Sequence, residues 1–358
     1  MMKPVSGLCN MQCTYCFYQD ESSKRKIKDY GLMKETTLEQ VVRKAIEKTE
    51  RVCTFAYQGG EPLLAGLDFY KKSIELQKKY NKKGVMIQNV IQTNGYELDE
   101  EWCEFFKINN FLVGVSLDGI KKTHDKFRKN KQGADTYFEI VNHIGILEQK
   151  GVDFNILTVV NNETATKIDR IYEFYKKKGF VYQQYIACIE PLGEEEGKQD
   201  YSISAVEYGK FLCRLFELWK IDIDKGEYIS IRQFENWMDI VRGRMPEACE
   251  HRGICGLQTI IEADGSVFPC DFYALDSFLL GNINTDTWEE IEERRQQSGF
   301  LERSHNHTID CLECKYFRVC RGNCNRYRVD GKHILCEGYR YFFDRYLEEL
   351  IKIAERTV

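Results

Sequence analysis

The sequence predicts an α/β protein: a partial (β/α)6, TIM-like barrel, favoured over an open sheet, followed by a small cysteine-rich C-terminal domain. Three observations carry this reading. β-branched and aromatic runs alternate with segments of helical period about six times, which implies a parallel sheet with helices outside. No glycine-rich dinucleotide loop opens the first unit, which favours the barrel. Fifteen cysteines stand among 358 residues, three of them within 9–16 and eight within 249–336.

The elements follow in chain order. A first strand is expected at 3–7, running straight into Cys9. Apolar and β-branched runs predict strands over 52–57, 85–92, 111–117, 154–160 and 181–186. Helical periodicity fills the gaps over 37–49, 68–80, 100–108, 136–149 and 165–178. In such folds chemistry sits at the carboxyl ends of the strands. Those ends read Gln58-Gly59-Gly60-Glu61-Pro62, Thr93-Asn94-Gly95, Ser116-Leu117-Asp118-Gly119 and Cys188-Ile189-Glu190-Pro191. Each alone is a turn signal; at corresponding strand ends they suggest one shared mouth. Helices over 206–219 and 231–242 bridge to the cysteine-rich part, and 339–354 is a last helix. Domains are therefore expected at 1–200, 201–245 and 246–358. The basic run at 24–28 reads as a solvated loop.

Composition narrows the function class. With 43% hydrophobic and 30% charged residues the chain can fill a core, which excludes disorder. Lys and Arg number 51 against 56 Asp and Glu, so the basic footprint of a nucleic-acid binder is missing. No apolar run reaches the ~18 residues of a membrane helix, and the first residues are not a signal peptide. The expected location is cytoplasmic, where thiols stay reduced and clustered cysteines mean metal. Cys53, Cys103, Cys188 and Cys213 stand alone and read as small buried hydrophobes.

Cys9-x3-Cys13-x2-Cys16 brings three thiolates into one loop, able to face one corner of an iron–sulfur cube and leave one iron open. Structural zinc prefers four ligands, and no nearby histidine completes this set. With Gly59-Gly60-Glu61-Pro62 after the second strand, the run resembles the signature of the radical S-adenosylmethionine superfamily. Farther along come Cys249-x5-Cys255, Gly265-x4-Cys270, Cys311-x2-Cys314-x5-Cys320-x3-Cys324 and Cys336. These spacings resemble the SPASM extension of that superfamily, which carries two auxiliary clusters. The resemblance implies three [4Fe-4S] clusters with S-adenosyl-L-methionine. It assigns Cys249, Cys255, Cys270 and Cys324 to the first auxiliary cluster and Cys311, Cys314, Cys320 and Cys336 to the second. Two four-cysteine zinc sites are the competing account of the eight.

Over nearly its whole length the chain is similar to the anaerobic sulfatase-maturating enzymes. The stretches that carry this include Cys-Thr-Tyr-Cys-Phe-Tyr at 13–18, Phe-Leu-Val-Gly-Val-Ser-Leu-Asp-Gly at 111–119 and Pro-Cys-Asp-Phe-Tyr at 269–273. That resemblance implies oxidation of a cysteine or serine in a sulfatase-type peptide to Cα-formylglycine. It makes Asp271 the catalytic proton acceptor, with the auxiliary clusters taking the electron. It places Tyr15 and Ile189 beside the cofactor's adenine, Gly60 at its amino group, Ser116 at its ribose and Arg128 at its carboxylate. Gln58 and Tyr18 are weaker candidates for the target peptide. The implied electron donor is a flavodoxin or ferredoxin. Only eight residues precede Cys9, so no N-terminal peptide-recognition module is expected. The alternatives are a SPASM-type maturase that installs a thioether, crosslink or epimer in another peptide, and a non-catalytic electron carrier.

Overall fold

The structure, a computed structural model, describes residues 1–356. The expected α/β class is found, with a parallel six-stranded sheet. Its strands are β1 (Val52–Tyr57), β2 (Met86–Thr93), β3 (Phe111–Ser116), β4 (Asp153–Val160), β5 (Tyr182–Ala187) and β6 (Ser230–Ile231). The chain forms two compact units. The first comprises Met1–Leu117, Asp125–Asn155 and Leu257–Ser298; the second comprises Asp118–His124, Ile156–Gly256 and the residues from Gly299 onward.

In the first unit β1, β2 and β3 pair in parallel, with Tyr57 opposite Ile91 and Ile91 opposite Val113. Phe55 and Tyr57 alternate inward along β1, as a half-buried strand requires. Tyr57 packs on Tyr70 and Phe111 at ring separations of 5.0 and 5.9 Å, and Phe106 on Phe111 at 5.2 Å. Polar groups inside this core are paired: Tyr57 Oη lies 2.6 Å from Ser73 Oγ, and Gln77 Nε2 donates to Asn89 Oδ1 at 2.8 Å. Helix Glu100–Ile108 starts at Asp99, whose side chain accepts from Trp102 N–H at 2.9 Å.

The strand expected at 3–7 contracts to a bridge at Met2, which pairs with Tyr57 of β1 and with Ile261. Ile261 belongs to a small antiparallel sheet of β7 (Ile260–Ile261), β8 (Ser266–Phe268) and β9 (Gly281–Asn282). Pairing stops there for a local reason. Pro4 has no N–H to give a ladder, and Ser6 turns the chain at φ +52°.

The second unit carries β4 from Ile156 onward, with β5 and β6, in parallel. β6 is only two residues long and lies in a stretch whose pattern reads as helical. The bridging helices are found as Ala205–Asp224, opened by a Ser204/Glu207 capping box, and Arg232–Val241. The last helix is Cys336–Arg356. Phe216, Phe234, Trp237 and Phe342 pack with ring separations of 5.1–6.0 Å. Gly209 and Gly338 let helices Ala205–Asp224 and Cys336–Arg356 touch backbone to backbone: a Cβ on Gly209 would stand 2.9 Å from Gly338 Cα. Among the described residues no helix is long and apolar enough to cross a membrane.

Candidate active site and cluster sites

The 9–16 loop is held by backbone pairing on two sides. Gly60 N–H donates to Ser6 O at 2.9 Å and Glu61 N–H to Leu8 O at 2.7 Å. Gln12 N–H donates to Lys129 O at 2.8 Å and Thr14 N–H to Phe127 O at 2.9 Å. The fully buried Glu61 carboxylate accepts from Leu63 N–H, Thr93 Oγ1 and Asn94 N–H at 3.0, 2.8 and 2.7 Å. It thereby ties the end of β1 to the end of β2, and burial pushes its pKa up to about 7. Asn94 Nδ2 reaches onward to Asn10 Oδ1 at 2.7 Å and to Cys9 Sγ at 3.7 Å.

Gly60 has no room for a side chain, since a Cβ would fall 2.0 Å from Leu8 O. Gly60→Ala therefore forces the loop and β1 apart. A shift of ~1 Å at a reacting site can cost on the order of 10²-fold. Deoxyadenosine production by Gly60→Ala is expected to fall by about that factor, and wild-type production would show that the close approach is unimportant.

Cys9, Cys13 and Cys16 are half-buried on this loop. Burial pushes the Cys9 thiol up to about 11 and raises Cys16 as well, so these thiols give up protons when they take a metal. Arg128 Nη1 lies 4.0 Å from Cys13 Sγ, and its guanidinium sits 5.4 Å from the Tyr15 ring centroid. Tyr15 in turn meets Phe127 edge-on at 5.9 Å. Ser116, at the end of β3, accepts from Gln92 Nε2 at 3.2 Å. Tyr15, Gly60, Ser116 and Arg128 thus all belong to the first unit. Ile189 is buried after β5 in the second.

Asp271 follows Cys270 just beyond β8, in the first unit. Tyr18 Oη donates to its Oδ2 at 2.6 Å, and Gln58 Nε2 approaches the same oxygen at 3.5 Å. Its other oxygen, Oδ1, lies 3.0 Å from Lys3 Nζ. Lys3 has 0% exposure and also faces Glu262 at 3.4 Å and Glu21 at 3.6 Å. Arg25 Nη1 donates to Glu262 Oε1 at 2.6 Å. Burial alone would lower the Lys3 pKa, but Asp271, Glu21 and Glu262 reverse this and hold the ammonium charged. Burial pushes Glu21 up to about 7. Arg25 corrects the solvated-loop expectation for 24–28: it is 4% exposed, whereas its neighbours Lys24 and Lys26 are exposed.

Lys3, Arg25, Glu21 and Glu262 carry no sequence motif; Lys3 in an otherwise apolar first segment is the nearest thing to a signal. Removing one partner of a buried ion network leaves uncompensated charge, at a cost of about 3–5 kcal/mol. Lys3→Met is expected to lose that much stability in denaturant titration. A loss under about 1 kcal/mol would mean that the carboxylates are solvated.

In the second unit Cys311, Cys314, Cys320 and Cys336 line a single cavity of about 60 Å³, walled by Tyr339 and Phe343. A water needs only ~10–15 Å³. Burial pushes the Cys320 thiol up to about 12, and neighbouring Cys336, Cys311 and Cys314 add to the rise. Cys324 is also raised by burial, with Glu250, Cys255 and Cys249 adding to the rise. Cys320 and Cys324, four residues apart, thus have different thiol neighbours. Cys270 is carried by the first unit. Among the described residues no three His, Cys, Asp or Glu side chains gather closely enough for one metal ion. Four soft thiols around a volume fit an iron–sulfur cube by donor chemistry. Cys53, Cys103, Cys188 and Cys213 are buried, as expected for packing residues.

Comparison with known proteins follows the same lines. The radical SAM superfamily model matches residues 4–175, and an iron-sulfur cluster-binding domain model matches 254–325. A cysteine-type anaerobic sulfatase-maturating enzyme of Clostridium novyi is 41% identical over 99% of this chain and 96% of its own. The chain belongs to the anaerobic sulfatase-maturating enzymes. A serine-type member from Bacteroides thetaiotaomicron is 34% identical over 96% of this chain and 88% of its own. The solved structure of native anSMEcpe with bound AdoMet and Cp18Cys peptide superposes with TM-score 0.95 at 40% identity. That match covers 100% of this chain and 98% of that one.

The enzyme is therefore a radical SAM oxidoreductase with three [4Fe-4S] clusters and S-adenosylmethionine as cofactors. The electron-carrier and zinc readings are set aside.

Proposed function

We propose that the enzyme oxidises a cysteine of an extended sulfatase-type peptide to Cα-formylglycine, with Asp271 as proton acceptor. The observation that carries the base assignment is the seating of Asp271: Oδ2 takes the Tyr18 hydroxyl at 2.6 Å, and Oδ1 is held 3.0 Å from Lys3. Tyr18 directly extends the cysteine loop and Gln58 directly precedes Gly59-Gly60, so the carboxylate is tied to both cofactor motifs. Geometry qualifies a general base before pKa does.

Cys9, Cys13 and Cys16 would hold the first cluster, and Tyr15, Gly60, Ser116, Arg128 and Ile189 would bind and orient S-adenosylmethionine. Cys249, Cys255, Cys270 and Cys324 would hold one auxiliary cluster, and Cys311, Cys314, Cys320 and Cys336 the other. When bound, these cofactors supply the radical that removes a Cβ hydrogen and the acceptor for the second electron. Asp271 takes the proton that must leave for the target carbon to reach the aldehyde level. Tyr18 and Gln58 orient the carboxylate and meet the peptide. Lys3 keeps its back oxygen fixed. The barrel is assigned to 1–200, the bridge to 201–245 and the cluster domain to 246–358. The location is cytoplasmic, with a flavodoxin or ferredoxin as donor.

The test is an anaerobic assay with dithionite, S-adenosylmethionine and a Cys-x-Pro-x-Arg peptide, run in parallel with its Ser-x-Pro-x-Arg counterpart and read by mass spectrometry. Deoxyadenosine together with an aldehyde-mass peptide is expected. Deoxyadenosine with an unchanged peptide would move the enzyme to another peptide substrate, and conversion of only the serine peptide would reassign the target.

A further inference from the structure

Arg328 uses every donor it has on neutral acceptors. Its Nε–H goes to Gly322 O at 2.9 Å; Nη1 goes to Ser304 O at 2.7 Å and, at 3.5 Å, to Asn306 O. Nη2 goes to Gly253 O at 2.6 Å and to Asn323 O. A guanidinium has five N–H donors and no acceptor, so the set is complete. No carboxylate among the described residues forms an ion pair with it; every acceptor it meets is a backbone carbonyl.

The carbonyls come from three segments, each attached to a cysteine. Gly253 lies between Cys249 and Cys255; Ser304 takes the Cys255 N–H on its Oγ at 2.9 Å; Gly322 and Asn323 lie between Cys320 and Cys324. Burial works against the charge on Arg328, while Cys324, Cys311, Cys255 and Cys320, members of both groups, favour it.

We infer that Arg328 is a shared redox-tuning residue, whose unpaired guanidinium lies between the two auxiliary cluster sites and favours the reduced state of both. Each site gathers thiolate charge, and accepting an electron makes it more negative. A fixed, partly desolvated cation makes that addition easier and raises the reduction potential, which in such clusters is set by net charge and exposure. One residue would thereby make both electron-accepting sites more oxidising.

The inference rests on the ligand assignment above, and iron content tests that assignment separately. The experiment is an EPR-monitored redox titration of the reconstituted full-length enzyme as wild type, Arg328→Gln and Arg328→Lys. Arg328→Gln removes the charge; Arg328→Lys keeps it and loses the fork. The expected result is a shift of both auxiliary midpoints to more negative potential in Arg328→Gln, with Arg328→Lys close to wild type. Auxiliary midpoints unchanged in Arg328→Gln at full iron content would overturn the inference, as would an equal shift in Arg328→Lys. Where Arg328→Gln binds less iron, Arg328→Lys decides: full iron at wild-type potentials upholds the charge, and loss of iron in both assigns Arg328 to loop-holding alone.

Discussion

Asp271→Asn is expected to leave S-adenosylmethionine cleavage running while aldehyde product falls about 10²–10⁴-fold, the usual worth of a positioned general base. The fold should tolerate the change. Asparagine has the same shape: its one carbonyl oxygen can face Lys3 while its amide N–H donates to the Tyr18 oxygen. The buried group holds Asp271, Glu21 and Glu262 with Lys3 and Arg25, so after the substitution two carboxyl groups still face the two cations. A dead protein would be ambiguous; a protein that still forms deoxyadenosine is not. The measurement is therefore a ratio, product against deoxyadenosine, by mass spectrometry in one reaction. A ratio equal to wild type would remove Asp271 from the proton step and leave it a scaffold for Tyr18.

Cys13→Ala is expected to abolish deoxyadenosine formation to background. Cys13 is the thiol beside Arg128, in the loop whose three cysteines are the set assigned to the first cluster. The loop itself should keep its shape, because Gln12 and Thr14 on either side are pinned through their backbones to Lys129 and Phe127. Loss of activity would then report the cluster, not misfolding. Iron analysis should show the first cluster's share missing and the auxiliary signals retained. Deoxyadenosine persisting at wild-type levels would refute the assignment of the first cluster.

The readings that succeeded from sequence share one property: their signal is local. The 9–16 cysteines, Gly59-Gly60-Glu61-Pro62 and the alternating runs at 52–57 or 111–117 each declare themselves within a few residues. The failures are of two kinds. Met2 and the two-residue β6 are too short for any period to register, and Pro4 ends the first pairing before alternation can show. The Lys3, Arg25, Glu21 and Glu262 cluster joins the two ends of the chain: Arg25 meets Glu262 across 237 positions, and Lys3 reaches the same Glu262. Buried charge has no periodicity, and a basic run such as 24–28 hides one interior arginine among solvated lysines. Arg328 escaped for the same reason, since its partners are carbonyls, which every residue has.

The seam at the start of the chain has a consequence for biosynthesis. Met1 N donates to Thr259 O at 2.8 Å across 258 positions, and Lys3 N–H donates to Ile261 O at 2.8 Å. At ribosomal rates of about 5–20 residues per second, ~13–50 s pass between the emergence of these partners. Through that interval the nascent chain carries Lys3 without its carboxylates and the Cys9 loop without its neighbour at Asp271. Residues 156–256, which belong to the second unit, leave the ribosome before the first can close. Folding therefore cannot proceed simply from the N-terminus to the C-terminus. Iron–sulfur loading that needs a completed first unit must wait until residues 257–298 have been made.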